Sequence, residues 1–384
     1  MIIKNGKIHD AINPEVYVAD IAMENGKITA IGKNLVPAPG EEVLDATGKE
    51  VYPGFVDAHS HLGLHRYSVG KNGTDINERG SGVGGAHIGA HIRGIDAFDT
   101  KDKYIRNAVE SGVTTICTGP GSANIIGGTF LAVKTAGGPL KKMVINADVA
   151  MKAAFGENVI YQDRKFASTR LGVAAILRQT LYDAKDYLAR KEAADPGNPF
   201  RTDLRMEALI PVIKGEMPLK CHVHEARDIC TALRIREEFG LKMTLEHVTD
   251  GPSVLEELVE ANVPIAIGPM IFRSDKRECE NRTHKTAAIL SNAGLKVSIV
   301  TDATVTPVEL LTFCVGLAMK HGMDPHKALQ AITITAAEHI GIADRVGSLE
   351  VGKDADVVIA DGDLLRCIQA KVETVFVNGE KVVG

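Results

Sequence analysis

The sequence has no tryptophan, no Cys-x-x-Cys pair and no surplus of positive charge. It also lacks any apolar run near the roughly 18 residues that a membrane span requires. The last three absences each narrow the possibilities. The six cysteines (Cys117, Cys221, Cys230, Cys279, Cys314, Cys367) lie far apart, which fits reduced thiols rather than a disulfide scaffold. With 44 basic and 49 acidic residues the net charge is −5, so no electrostatic footprint for nucleic acid or an anionic membrane is present. The opening Met1–Lys7 stretch has no signal-peptide h-region or cleavage site, and the expectation is a cytoplasmic protein. What is there is enough for a core. The chain has 384 residues, 45% hydrophobic and 24% charged, which excludes disorder and suggests two domains or one large barrel with an appendage.

The two ends share a grammar of short apolar runs broken by Asn-Gly: Ile2–Gly6, Val16–Ala22 and Asn25–Gly32 at one end, Ala355–Ala360 and Val372–Glu380 at the other. Asn-Gly between apolar runs is a hairpin signal, because both residues accept positive φ. Neither end has strands enough to bury a face alone. Together, residues 1–50 and 346–384 are expected to form one small β-sandwich domain. Residues 51–345 alternate strand-like and helical segments. Leu219–Val223, Met243–His247, Val263–Gly268 and Lys296–Asp302 are each separated by a helical run, which implies parallel strands with crossover helices. The expectation is an α/β chain whose centre is a (β/α)8 TIM-type barrel, with a doubly wound sheet as the alternative. Between 140 and 218 only one clear strand, Met143–Val149, is legible. Residues 68–95 are rich in glycine and read as a long loop, either functional or disordered.

Polar residues gather where the parallel strands should end. The strand Val51–Ala58 runs into His59-Ser60-His61, and residues i and i+2 of a strand face one side, so both imidazoles can grip one ion. Later strands end in His222-Val223-His224-Glu225, in His247 and in Asp302. Taken singly, a histidine at a strand end is ordinarily a hydrogen-bonded rim residue, and Thr301-Asp302 reads equally as a helix N-cap. Four strand ends supplying such groups to one rim is the stronger pattern, and the carboxyl ends of barrel strands are where active sites are built. Imidazole with carboxylate suits a divalent metal, zinc foremost, with iron, manganese or nickel as alternatives.

The run Pro53-Gly54-Phe55-Val56-Asp57-Ala58-His59-Ser60-His61 resembles the first-strand signature of the amidohydrolase superfamily. Gly347–Val358 and Thr333–Glu338 resemble segments of its cyclic-amidohydrolase branch, so the likeness runs through nearly the whole chain. The resemblance implies a metal-dependent hydrolase of a C–N bond in an amide, cyclic amide or peptide-like small molecule. It implies that His59 and His61 hold the more buried metal and that His222 and His247 serve a second metal or the catalytic water. Asp302 would bind metal and act as general base. Binuclear members need a bridge, for which Lys152, carboxylated as in hydantoinases and dihydroorotases, and Glu157, comparable to the glutamate of acetylglucosamine-phosphate deacetylases, are the two candidates. One or two metals per chain therefore stay open. A mononuclear imidazolonepropionase-like hydrolase or an aminohydrolase is the alternative. Imidazolonepropionases carry His-x-Asp-Glu where this chain has His222-Val223-His224-Glu225. Glu225 is then a catalytic candidate, and His224 a substrate-binding one.

Two further residues are candidates for substrate contact: Asn124 in the turn-rich Gly119–Asn124 loop, and Arg273, whose planar guanidinium suits a carboxylate. His284, His321, His326 and His339 fall in helical stretches and read as surface or packing residues. A homo-oligomer is compatible with everything above, dimers being the commonest assembly.

Overall fold

The computed structural model describes residues 1–65, 75–78, 87–161, 167–195, 200–272 and 276–384. Arg273 and most of the glycine-rich 68–95 stretch lie outside the described residues. Five strands come first: β1 (Ile2–Ile8), β2 (Tyr17–Glu24), β3 (Lys27–Gly32), β4 (Val43–Asp45) and β5 (Glu50–Pro53). Eight follow through the middle: β6 (Phe55–Ser60), β7 (Val113–Thr118), β8 (Ile126–Lys134), β9 (Val144–Ala154), β10 (Leu219–Val223), β11 (Met243–His247), β12 (Ile265–Ile267) and β13 (Val297–Ile299). The chain closes with β14 (Val357–Ala360), β15 (Val372–Val377) and β16 (Glu380–Val383).

Both chain ends contribute to one sheet, in the order β16-β15-β14-β5-β1-β2-β3, with β4 beside β1. Ile3, Ile8, Ile21, Val51, Val357 and Phe376 form part of its buried core. Asn25-Gly26 joins β2 to β3 with φ of 52° and 79°, and Asn378-Gly379 joins β15 to β16 with φ of 49° and 75°. Both are the positive-φ pairs a tight hairpin needs. Asn5-Gly6 is not a turn. It lies inside β1 at a bulge, where Asn5 takes φ 60° and a Cβ on Gly6 would stand 2.6 Å from Val51 Cγ2. The dipeptide serves close strand approach there rather than chain reversal.

The second sheet runs β13-β12-β11-β10-β9-β8-β7-β6 and is nearly closed into a barrel, which sets aside the doubly wound alternative. Asp302 N donates to His59 O at 3.1 Å, and Thr301 Oγ1 donates to Asp57 Oδ2, so the ends of strands one and eight are tied. The barrel departs from an all-parallel (β/α)8 arrangement. β8 is antiparallel to both β7 and β9, while the other neighbouring strands are parallel. β8 begins Ile126-Gly127-Gly128, and β9 ends Met151-Lys152-Ala153-Ala154. Glycine and alanine have weak strand preference, so both stretches are hard to see in the sequence.

Gly54 links β5 to β6, and close packing demands glycine there, because a Cβ would meet Thr114 Oγ1 at 2.0 Å. A buried ion cluster also joins them. Lys134 Nζ, at the end of β8, lies 3.0 Å from Asp354 Oδ2 and 2.5 Å from Asp356 Oδ2. Inside the barrel Phe130 is the bulky filler, packed with Val56, Ala58, Cys117, Ala266 and Val300.

Candidate metal centre

His59 and His61 sit two residues apart at the end of β6, and His222 and His224 do the same at the end of β10. In each pair the strand period turns both rings the same way. His247 ends β11 directly after Glu246. A regular strand would send those two side chains to opposite faces. The backbone instead turns left-handed at His247 (φ 75°) and Val248 (φ 46°), so both serve the interior. Asp302, beyond β13, takes φ 52°. Non-glycine residues in this region are costly, by about 1 kcal/mol or more each, and cluster where a side chain must be aimed.

The side chains form two groups. One atom each from His59, His61 and Asp302 lie within 4.8 Å of one another, and so do atoms from His222, His224 and His247. Asp302 Oδ1 is 3.3 Å from His61 Nε2 and 3.7 Å from His59 Nε2. The groups adjoin through His59 and His247, with ring centroids 5.2 Å apart. Lys152 is fully buried on β9, the fourth barrel strand, and its Nζ stands 3.5 Å from His59 Nε2. The outer nitrogens are occupied: His61 Nδ1 by Gly119 O at 2.7 Å, His247 Nδ1 by Gly268 O at 2.6 Å, and His224 Nδ1 by Thr249 Oγ1 at 2.7 Å.

Beneath the centre lies a buried charged network. Glu246 Oε2 accepts from His59 Nδ1 and from Lys220 Nζ, both at 2.8 Å. Its Oε1 accepts from Thr244 Oγ1 at 2.8 Å and pairs with His339 Nε2 at 2.9 Å. A histidine whose outer nitrogen meets a carboxylate is fixed in ring orientation and made a better ligand.

The electrostatics suit a cation. Burial holds His59, His222 and His247 well below the ordinary histidine value and His224 at about 4, so these imidazoles are neutral at pH 7. Neutral imidazole is the form that ligates metal. Burial pushes Asp302 up, but the His61 hydrogen bond, with electrostatic attraction to neighbours that include Lys152, outweighs it and leaves the carboxylate at about 2. Burial lowers Lys152 to about 8. His222 Nδ1 is buried without a hydrogen-bond partner. Neutral rings with braced outer nitrogens, an ionised carboxylate and an orphaned donor fit a divalent metal.

The remaining expected residues lie elsewhere. Glu157 starts a short helix, and its Oε1 accepts from Glu278 N at 3.1 Å, apart from both donor groups. Glu225 precedes the helix Ala226–Phe239 with its oxygens on guanidinium groups, Oε1 on Arg170 and Oε2 on Arg227 at 2.6 Å. Asn124 donates to Glu78 O at 3.1 Å, and Gly119 of its loop holds His61. His224, expected as a substrate contact, stands among the second donor group. Four participants escape the sequence reading: Lys220, Glu246, Glu278 and His339. Of the surface and packing readings of His339 the structure takes the second: it is buried, with Nε2 on Glu246 Oε1 at 2.9 Å. Lys220 on β10 and Glu246 on β11 are buried charges on neighbouring barrel strands, a signal that gains meaning only once those strands are paired.

A nearly closed eight-stranded barrel thus carries, at its strand ends, histidine and aspartate groups that could hold a metal ion. The chain belongs to the amidohydrolase family, whose model matches residues 51–382, and is a hydrolase of that family. It is similar to the crystal structure of an amidohydrolase from Thermotoga maritima MSB8, at 34% identity and TM-score 0.94 over 99% of both chains. It is 25% identical to an imidazolonepropionase of Thermoplasma volcanium over 95% of this chain and 90% of that protein. An amidohydrolase, tasK, of Hapsidospora irregularis is 27% identical over 94% of this chain, which spans only 40% of that protein's length. An adenine deaminase of Listeria monocytogenes is 24% identical over the whole chain, which spans 57% of it. Among the described residues no helix is long and apolar enough to cross a membrane.

Proposed function

We propose that the chain is a binuclear metal-dependent hydrolase that opens the C–N bond of a small amide or cyclic amide. The observation that carries this is the pair of adjoining donor groups with Lys152 Nζ 3.5 Å from His59 Nε2. In this reading His59, His61 and Asp302 hold one ion, and His222 and His247, with His224 beside them, hold the other. Lys152 would join them as a carbamate, its neutral Nζ adding to carbon dioxide and releasing one proton. Glu157 is engaged with Glu278 and is not the bridge. A divalent metal held there, zinc foremost, would supply Lewis acidity toward a substrate carbonyl and lower the pKa of water. Asp302 Oδ1 faces the histidines, which leaves Oδ2 to take the proton of the attacking water and return it to the departing nitrogen.

The aminohydrolase reading needs Glu225 as a free proton carrier, and its two oxygens are engaged by Arg170 and Arg227. The relatives named imidazolonepropionase and adenine deaminase still set the outer arms of the test. Metal-loaded and metal-stripped protein should be assayed against cyclic amides, N-acyl amino acids, dipeptides, an imidazolone and adenine. The expected result is turnover of an amide or cyclic amide that chelation abolishes and metal restores. Turnover indifferent to chelation, or ammonia release from adenine alone, would contradict the proposal.

A further inference from the structure

Within the second donor group, His224 Nδ1 is held by Thr249 Oγ1 at 2.7 Å and His247 Nδ1 by Gly268 O at 2.6 Å. His222 is held differently. Its Nε2 meets Asn158 Nδ2 at 3.3 Å, and its Nδ1 is buried with no hydrogen-bond partner among the described residues.

Lys276 fixes the direction of that contact. Its ammonium donates to Asn158 Oδ1, and an ammonium has no lone pair to offer. The amide must therefore show Lys276 its oxygen and His222 its amino group. His222 Nε2 accepts from that amino group, and the neutral ring carries its proton on Nδ1. Neither nitrogen then has a lone pair free for a metal. A metal on Nε2 has to displace the Asn158 amino group. A metal on Nδ1 sends the proton to Nε2, donor against donor with Asn158, unless the amide turns over and releases Lys276. Either route opens the chain of contacts from Lys276 through Asn158 to His222.

This chain is mounted on a frame. The Glu157 backbone N–H donates to Glu278 Oε2 at 2.7 Å and the Glu278 N–H to Glu157 Oε1 at 3.1 Å, which ties the segment of Asn158 to that of Lys276. Opening also has a destination. Glu278 Oε1 is buried with no hydrogen-bond partner among the described residues, and Lys276 Nζ lies 3.9 Å from it. A shift of about 1 Å makes that contact a hydrogen bond. It exchanges an amide oxygen for a carboxylate, the stronger acceptor for an ammonium.

We propose that Asn158, held by Lys276, is the positioning residue that governs His222, and that the second metal binds only when this contact opens and Lys276 passes to Glu278. The inference rests on the binuclear reading above.

Two measurements on the full chain test it. In metal-stripped protein labelled with 15N-histidine, long-range proton–nitrogen spectra report each tautomer, and His222→Gln identifies the signals of His222. A proton on Nδ1 is expected, and a proton on Nε2 would overturn the proposal. Asn158→Asp, which offers Nε2 an acceptor while keeping Lys276, should move the proton to Nε2. The second measurement is a cobalt(II) titration with chelator competition. Asn158→Leu removes the competing amino group and should bind the second equivalent about 2–10-fold more tightly, with the first unchanged. Equal or weaker binding of the second equivalent would overturn the proposal, because Asn158 would then be neutral toward the ligated ring or a support for it. Failure of both the parent and Asn158→Leu to take a second equivalent would instead overturn the binuclear reading.

Discussion

Replacing Glu246 with glutamine removes one charge from the centre of the barrel without changing its shape. Glu246 receives four contacts, from His59, Lys220, Thr244 and His339, at 2.8 to 2.9 Å. A glutamine offers one oxygen, so either His59 and Lys220 or Thr244 and His339 would face an amino group. Lys220, with 1% of its side chain exposed, would keep only Ala58 O at 3.1 Å and His339 Nε2 at 3.3 Å among the described groups. Breaking a buried ion pair from one side costs about 3–5 kcal/mol, because the remaining charge is stranded. Glu246→Gln is therefore expected to lose about that much, and Lys220→Met a similar amount. The double variant strands no charge and should recover, with a coupling of about 2–3 kcal/mol in the double-mutant cycle. Denaturant unfolding of the metal-free protein, followed by circular dichroism, measures all four corners. Glu246→Gln within about 1 kcal/mol of the parent, with additive singles, would refute the reasoning.

Other consequences can be checked separately. Asp302→Asn should keep metal and lower turnover of the substrate found in the panel by about 10²–10⁴-fold, measured as kcat; parental activity would remove Asp302 as proton carrier. Lys152→Met should reduce metal content from two to one per chain by elemental mass spectrometry, and two retained ions would exclude a lysine bridge. Lys134→Met leaves Asp354 and Asp356 short of a cation and should destabilise the chain by about 3–5 kcal/mol. Burial raises Asp354, but Lys134, Lys27 and Arg345 together hold it below the usual carboxylate range. Its stabilisation is thus complete above the unfolded value of about 4 and lost as pH falls through the folded one. Acid unfolding of Lys134→Met should accordingly be shallower than that of the parent.

The ligand rim was legible because strand-end histidines and Asp302 recur at one position in successive βα units, a pattern local periodicity carries. The support beneath was not. Glu246 and Lys220 are one residue each, meaningful only once β10 and β11 are paired, and His339 reaches the barrel from a helix nearly a hundred residues later. Lys152 stayed ambiguous against Glu157 because Ala153-Ala154 hides the end of β9. Once that strand is in place, Lys152 falls inside the barrel and Glu157 on the helix after it. The antiparallel β8 was missed for a similar reason, since Gly127-Gly128 hides a strand that hydrogen-bonding neighbours enforce. Glu278 carries no motif at all. Its meaning comes from a buried oxygen without a partner, which only the folded chain reveals.

The most direct test of the central claim is metal content per chain, by elemental mass spectrometry on full-length protein purified without added metal and after loading with zinc. Two equivalents in the loaded protein are expected, one for each donor group. A single equivalent, or none, would contradict a binuclear centre joined by Lys152.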